Sequence, residues 1–211
     1  MDPAEQTPDT QAHREAGGLR RLDDAANLFE SVFTVAPLVL VGTRELDGSV
    51  NLAPKLMAMP LGWSGKYCFA CTPRHRTHVN AERTEMFSVS YVTPEQAVVT
   101  GQAAAERDVT GDRPELAALP TVEAAEIDGV LVEGAHAALE CRLLSIIRDG
   151  DESLVIGTVV AAHARPSALR AADRDDADVV FEEPLLAYVT PGRLARVDRT
   201  TSFPFPARVQ R

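Results

Sequence analysis

The chain has 211 residues, of which 45% are hydrophobic and 25% charged, and this composition excludes a disordered chain, a collagen-like repeat and a pure coiled coil. Its 31 acidic residues outnumber its 21 lysines and arginines, so the net charge of -10 argues against nucleic acid and anionic membranes as partners. Any anion that the protein binds must therefore be held locally, by a cluster of cationic side chains.

Residues 1–18 are predicted to form a mobile tail, and residues 19–211 a single domain. The tail is polar, contains Pro3 and Pro8, and ends in Gly17-Gly18. It has no basic region followed by an apolar stretch, so it does not resemble a secretory signal, and no apolar run in the chain is long enough to cross a bilayer. We therefore expect a cytoplasmic protein whose three cysteines are free thiols.

Several segments are predicted to be strands, because they are rich in β-branched residues or alternate between apolar and polar residues. In chain order they are 37–43, 50–53, 66–72, 86–92, 137–148, 154–164 and 185–189. Asp47-Gly48 and Asp149-Gly150 each separate two of these strands, and Asp-Gly favours the left-handed backbone that a tight hairpin turn needs.

Helices are predicted to be short. The first covers 77–85, and the second begins after Thr93-Pro94 and ends near residue 107. Thr93 can cap this second helix, Pro94 suits its first position, and Gln96 can complete a capping box. Residues 165–178 are rich in Ala, Arg and Asp and are predicted to be a solvated connection, and Pro191-Gly192 predicts a turn.

Long antiparallel hairpins dominate this pattern, and strands do not alternate with amphipathic helices as they do in a doubly wound parallel sheet. The sequence therefore predicts a mainly β fold with short helices, and a closed, Greek-key-like antiparallel barrel fits the pattern best. Closure or dimerisation is expected, because unpaired sheet edges invite association.

Cys68 and Cys71 have the spacing of a redox or zinc-binding pair, but on a strand their thiols face opposite sides. Buried strand cysteines are the favoured interpretation. His75 and His78 would complete a conceivable metal-binding set, but its members lie across a strand, a turn and a helix start. We predict no metal site.

The most distinctive stretch is 72–80, which places two arginines and two histidines in an acidic chain where a strand ends and a helix begins. Backbone N–H groups at the helix start and the guanidinium groups of Arg74 and Arg76 can hold a phosphate, and the hydroxyl groups of Thr72 and Thr77 add donors. An ordinary capped helix with surface arginines explains the same residues equally well.

Several motifs occur in a specific order. An apolar strand ends in Thr43-Arg44, the Asp47-Gly48 turn and Asn51-Leu52-Ala53-Pro54 follow, and a further strand leads to an arginine-rich turn with Thr77 and Asn80. In this order and spacing residues 37–92 resemble the flavin reductase-like, FMN-binding split-barrel family. The later stretches 139–142 and 156–160 are similar to a second hairpin of that family, so the resemblance covers most of the chain after residue 35.

The resemblance implies that FMN lies in a groove between the two subunits of a homodimer. It assigns the phosphate to Arg74, Arg76 and Thr77. The ribityl chain and the isoalloxazine ring would be bordered by Asn51, Ala53, Pro54, Lys55 and Met57. Two stretches depart from the family pattern: residues 55–59 read Lys-Leu-Met-Ala-Met in place of a Ser-Phe-Phe-Asn-like run, and His75-Arg76 replaces Lys-Asp.

The resemblance further implies an NAD(P)H-dependent flavin reductase, in which hydride passes from nicotinamide C4 to flavin N5. Negative charge that develops near N1 and O2 needs a donor, for which Lys55 or a backbone amide after Pro54 is the candidate; Lys55 can equally be a surface residue. Reduced flavin would then be available to a partner oxygenase. The alternatives are an FMN-containing protein that reduces another acceptor and a flavin-binding module without NAD(P)H oxidase activity.

Overall fold

The computed structural model describes residues 18, 19, 22, 28–105, 113, 116 and 119–202. Its strands are β1 (Thr34–Pro37), β2 (Val39–Arg44), β3 (Val50–Lys55), β4 (Ala58–Pro60), β5 (Lys66–Cys71), β6 (Met86–Tyr91), β7 (Thr121–Glu123), β8 (Val130–Val132), β9 (Ala137–Asp149), β10 (Glu152–Ala164), β11 (Leu185–Thr190) and β12 (Arg193–Val197). Its α-helices are α1 (Leu28–Ser31), α2 (Arg76–Thr84), α3 (Ala97–Gln102) and α4 (Asp176–Glu182). Within these ranges no helix is long and apolar enough to cross a membrane.

The main sheet has seven strands in the order β3-β2-β6-β9-β10-β5-β4, and each neighbouring pair is antiparallel. β3 and β4 lie at opposite edges of this sheet, yet only Leu56 and Met57 separate them in sequence. A linker of this length brings Lys55 and Ala58 within about 11 Å, so the sheet must curl until its edges nearly meet. The result is an antiparallel barrel with one open seam between β3 and β4.

β2 lies between two hydrophobic cores. Val39 and Val41 are completely buried in the first core, a cluster to which β2, β4, β5, β6, β9 and β10 all contribute. Leu38 and Leu40 belong to the second core, together with Leu52 of β3 and with β8. Alternate side chains of β2 thus enter different cores, which explains why residues 38–41 are uniformly apolar.

The long hairpin of β9 and β10 carries much of the barrel wall, and it contains an irregularity at Gly157. The pairing register shifts between Ile156 and Gly157, as in a β-bulge. A Cβ atom at Gly157 would lie 2.6 Å from ring atoms of Phe87, whose ring packs edge-to-face on Phe69 with centroids 5.1 Å apart. Glycine is therefore required where the bulge brings backbone against this aromatic pair.

The structure confirms the long predicted strands to within two residues and places the turn of the second hairpin at Asp149-Gly150 as predicted. Five strands were not predicted. They are β1, which pairs with β11 in a second sheet together with β12; β4 at the seam; and the short β7–β8 pair. These strands have three to five residues each, which is too short for an alternation pattern to be recognised.

Two predictions between the strands need correction. The helix expected to end near residue 107 ends at Gln102, after a 3-10 helix at Pro94–Gln96, because Ala104 and Ala105 make turn-type hydrogen bonds to Gly101 and Gln102. The solvated connection at 165–178 contains a 3-10 helix at Pro166–Ala168 and the first turn of α4. Asp175 caps α4 by accepting a hydrogen bond from the Ala177 N–H at 2.7 Å.

The predicted tail lies outside the described residues except for Gly18, and the single domain 19–211 stays a prediction. The described cysteines Cys68, Cys71 and Cys141 are free, as expected. Cys71 belongs to the first core, whereas Cys68 directs its Sγ toward the Met59 carbonyl oxygen at 3.5 Å, in keeping with opposite faces of β5.

Candidate functional site

A groove of about 420 Å³ opens where the end of β3 meets the turn that leads into α2. An adjoining depression of about 220 Å³ shares Pro54, Lys55 and His75 with it. We call the two together the cationic groove. Of the predicted site residues, the first part contains Asn51, Ala53, Pro54, Lys55, Arg74, Arg76 and Thr77. Met57 and Thr72 line the second part, so the groove brings all predicted site residues together.

Positive charge is concentrated in this groove. Lys55, Arg74, Arg76 and Arg113 line its first part, although the chain as a whole has a net charge of -10. Partial burial lowers the pKa of His75, and the positive charges of Lys55, Arg74 and Arg113 lower it further. His75 is therefore neutral at neutral pH, and the charge in the groove comes from the lysine and the arginines.

The start of α2 supplies hydrogen-bond donors to the same groove. Its N-cap residue, His75, is extended (φ -73°, ψ 141°), and the His75 side chain makes no capping hydrogen bond. The first N–H groups of a helix have no partner within it, and they carry partial positive charge. The side chain of the N-cap residue thus does not cap α2, while Arg74 and Arg76 are exposed and line the groove, and the phosphate site stays a prediction.

Buried polar side chains fix α2 to the barrel just below the groove. The Asn51 amide donates to Thr43 Oγ1 at 3.1 Å and to Thr77 Oγ1 at 3.2 Å, and the Asn80 amide donates to Thr43 Oγ1 at 3.3 Å. These four side chains are at most 3% exposed. Thr77 Oγ1 accepts from Asn51, so its own hydroxyl hydrogen can be donated into the groove. Asn51 thus holds Thr77 in place rather than presenting a freely exposed amide.

Among the groove-lining residues that were not predicted as binding residues are two with basic side chains, His75 and Arg113. Arg113 follows α3 in sequence, and its guanidinium donates to the carbonyl oxygens of Leu52 at 3.2 Å and Ala103 at 3.0 Å. These bonds place a third guanidinium in the lining of the groove, together with those of Arg74 and Arg76. In the sequence Arg113 lies in the polar stretch Gly-Asp-Arg-Pro, which carries no local signal of a binding site.

Lys55 ends β3 beside the seam of the barrel. Its Nζ donates to the Sγ atom of Cys71, the last residue of β5, at 3.3 Å. Met57, in the linker that spans the seam, is 72% exposed. Lys55 therefore lies at the boundary between the two parts of the cationic groove, with its ammonium group partly buried.

The sequence model of the flavin reductase like domain matches residues 33–190 of the chain. The chain belongs to this family. As a flavin reductase-like protein it has a cationic groove that suits the phosphate of a flavin nucleotide, because an uncapped helix start and several arginines meet there.

Solved structures similar to this flavin reductase-like protein share its fold. An FMN-binding protein from Thermus thermophilus has 23% identity and a TM-score of 0.69, with 88% of this chain and 98% of that chain covered. Nitrilotriacetate monooxygenase component B from Bacillus cereus has 20% identity and a TM-score of 0.69 (81% and 88% covered). An NADH:FAD oxidoreductase from Streptomyces globisporus has 16% identity and a TM-score of 0.62 (77% and 86% covered). The predicted mainly β, split-barrel fold is confirmed.

Proposed function

We propose that this protein is an NAD(P)H-dependent flavin reductase that binds FMN. The observation that carries the proposal is the cationic groove, in which Arg74, Arg76 and Arg113 converge on the uncapped start of α2. A phosphate dianion gains charge-assisted hydrogen bonds from such an arrangement. Membership of the flavin reductase-like family supports flavin as the molecule that carries this phosphate.

Each predicted site residue has a role in this proposal. Arg74, Arg76 and the first N–H groups of α2 bind the phosphate, with Thr77 and Thr72 as hydroxyl donors. Arg113 adds a third guanidinium to this phosphate site. The ribityl chain and the ring border the residues at the end of β3 and in the linker across the seam, which are Asn51, Ala53, Pro54, Lys55 and Met57.

Bound FMN would accept a hydride at N5 from a nicotinamide, so the chain has to supply position and charge rather than an acid–base pair. Lys55 is the candidate catalytic residue, because its ammonium lies beside the predicted ring segment and can stabilise negative charge on the pyrimidine side of the ring. His75, neutral at neutral pH, adds a hydrogen-bonding group without adding charge.

The proposal includes a homodimer. Met57, Met59 and Trp63 lie on and beside the linker across the seam, and they are 72%, 57% and 85% exposed. Large apolar side chains exposed together next to a ligand groove are typical of an interaction surface. A second subunit seated here would cover one side of the groove and the edges of β3 and β4 that pair with no strand among the described residues.

A flavin-dependent oxygenase is the proposed recipient of reduced flavin. The similarity to a monooxygenase component from Bacillus cereus supports this proposal, as does the similarity to an NADH:FAD oxidoreductase for the nicotinamide donor. NADH and NADPH are both kept as donors, and the cytoplasmic location stays a prediction.

The deciding experiment is a visible absorbance titration of the purified protein with FMN, followed by anaerobic addition of NADH and then NADPH. We expect perturbed flavin bands that bleach with at least one nicotinamide. Perturbed bands that stay oxidised would indicate a flavin-binding module without NAD(P)H oxidase activity, and unperturbed bands would reject FMN binding. Ultrafiltration of the reaction mixture during turnover then distinguishes protein-bound flavin from free flavin. Flavin that stays with the protein indicates a bound prosthetic group and another acceptor.

A further inference from the structure

Lys55 and Cys71 face each other where the barrel is open. Lys55 ends β3, Cys71 ends β5, and the seam between β3 and β4 lies next to them. Their Nζ and Sγ atoms are 3.3 Å apart, and both side chains line the second part of the cationic groove. A thiol and a primary amine are thus held in direct contact at the wall of the proposed flavin site.

The other two cysteines lack this environment. Cys141 is completely buried, and burial raises its pKa to about 12. Cys68 is 1% exposed, burial raises its pKa as well, and its Sγ contacts a backbone carbonyl oxygen rather than a cation. Cys71 alone of the three lines the groove, and only its sulfur has an amine nitrogen within contact distance.

We propose that Cys71 and Lys55 form a peroxide-sensitive pair, in which oxidation joins Cys71 Sγ to Lys55 Nζ by a sulfenamide bond. The proposal deepens the proposed function and rests on it for the source of the oxidant, because reduced flavin that meets dioxygen yields hydrogen peroxide. A flavin reductase therefore exposes its own groove to this oxidant.

The reaction has two steps. In the first, Cys71 Sγ attacks one oxygen of hydrogen peroxide, the O–O bond breaks, and the thiol proton leaves with the departing hydroxide as water; Cys71 is now a sulfenic acid. In the second, Lys55 Nζ, after losing one proton to solvent, attacks Sγ. The S–N bond forms, the S–O bond breaks, and hydroxide leaves as water with a second amine proton. Sulfur loses two electrons, and one peroxide becomes two waters.

The bond would change the groove in a defined way. Lys55 loses its positive charge and can no longer reach the flavin, and the ends of β3 and β5 become covalently linked across the seam. Reduction by a thiol restores both side chains. The oxidised protein should therefore bind FMN at least about tenfold more weakly, which corresponds to the loss of one charge-assisted contact.

The test is peptide mass spectrometry of the purified full-length protein after treatment with hydrogen peroxide and alkylation of free thiols. We expect the Lys55 and Cys71 peptides to be joined and to be lighter by two hydrogens than their sum, and dithiothreitol to separate them. FMN titration of the same samples should show the affinity loss and its recovery.

Matched variants make the result specific. Lys55→Arg should leave Cys71 as a sulfenic acid that reacts with a dimedone probe, without a joined peptide. Cys68→Ser should form the joined peptide as the wild type does. Cys71→Ser lacks the reacting sulfur and should form no joined peptide. If this variant does not fold, Lys55→Arg and Cys68→Ser still test the proposal.

Three results would overturn the proposal: a Cys71 thiol that survives peroxide, oxidation of Cys68 at the same rate, or oxidised Cys71 without a bond to Lys55 in the wild-type protein. Because peroxide is added directly, the mass spectrum does not depend on flavin. A joined peptide in a protein that binds no FMN in either state would reject the proposed function and leave the sulfenamide in place.

Discussion

Arg74 and Arg76 flank His75, the N-cap residue of α2, and both are exposed. Arg74 has an ion pair with Asp151 at 3.6 Å, but both side chains are more than two thirds exposed, so this pair holds the guanidinium only weakly. Both arginines are therefore available to an anionic ligand, and their contribution is open to a direct test.

We expect the double substitution Arg74→Ala and Arg76→Ala to weaken FMN binding by roughly 2 to 4 kcal/mol, because two charge-assisted contacts to phosphate are lost. Fluorescence titration of FMN measures the affinity. The control is Arg170→Ala with Arg174→Ala, which removes two arginines that pair with Asp176 and Glu182 on α4. Equal affinity in the two double variants would remove the phosphate assignment.

Single groove residues could be predicted from the sequence where charged side chains cluster locally. Arg74 and Arg76 were recognisable because they interrupt an acidic chain next to a strand end. Arg113 was not, because its place in the groove depends on hydrogen bonds to Leu52 and Ala103, which only the folded chain brings near it. Asn51 was predicted as a ligand-facing residue, and its buried contact with Thr77 depends on how α2 docks on β3.

At the scale of elements, one buried carboxylate joins β9 to the loop before β8. Glu140 is fully buried, and its oxygens accept hydrogen bonds from the N–H groups of Ala125, Glu126 and Ile127 and from His163 Nε2. Burial alone would raise the pKa of this carboxyl, but these donors outweigh it and hold the pKa below its ordinary value of 4.5.

Glu140→Gln should lower the free energy of unfolding at neutral pH by about 1 to 3 kcal/mol, because either orientation of the amide turns its NH2 toward a backbone donor. Since the folded pKa lies below 4.5, the stability due to Glu140 is present above that pH and is lost as the pH falls through the folded pKa. Urea unfolding at neutral and acidic pH should show a difference from the wild type that shrinks in acid. A difference independent of pH, or one equal to that of the exposed-site variant Glu133→Gln, would contradict this role.

The bulge at Gly157 in β10 predicts how a second substitution affects stability. Gly157→Ala should destabilise the protein by about 1 to 3 kcal/mol, because the added methyl group would overlap the Phe87 ring. Gly101→Ala in α3 meets no atom within 4 Å and should be neutral or slightly stabilising. Thermal unfolding of the two variants compares them. Similar melting temperatures would mean that Phe87 moves aside at little cost.

Elements were predictable in proportion to their length. The strands of β9 and β10 have 13 residues each, and their composition and Asp-Gly turn identified them without the fold. The three residues of β4 form a strand because they pair with β5, which no local pattern reveals. α4 was missed because its acidic start was interpreted as solvated chain, although Asp175 is a helix cap.

At the scale of the whole molecule, the apolar side chains beside the seam predict the assembly. We expect the wild type to sediment as a dimer and the double variant Met59→Glu, Trp63→Glu to sediment as a monomer, because four carboxylates facing one another at the interface would weaken the dimer by at least about 3 kcal/mol. Leu46→Glu is the control, since Leu46 is 80% exposed at the tip of the β2–β3 hairpin. A wild-type monomer, or a dimer that survives the double substitution, would place the interface elsewhere.

The barrel itself was predictable from its hairpins, but its seam was not. Closure between β3 and β4 depends on the order in which seven strands pair, and neighbouring segments of sequence end up at opposite edges of the sheet. The position of the groove beside that seam follows from the same order, so the sequence could identify groove residues without locating the opening next to them.

The position of β2 between the two cores has a consequence for unfolding. Since Val39 and Val41 belong to one core and Leu38 and Leu40 to the other, β2 cannot be exposed without opening both. The two cores should therefore melt in one cooperative transition, with the β2 amides among the last to exchange their hydrogens with solvent. A ligand that binds β3, the hydrogen-bonded neighbour of β2, should slow the hydrogen exchange of the β2 amides on both sides of that strand, those that face β3 and those that face β6.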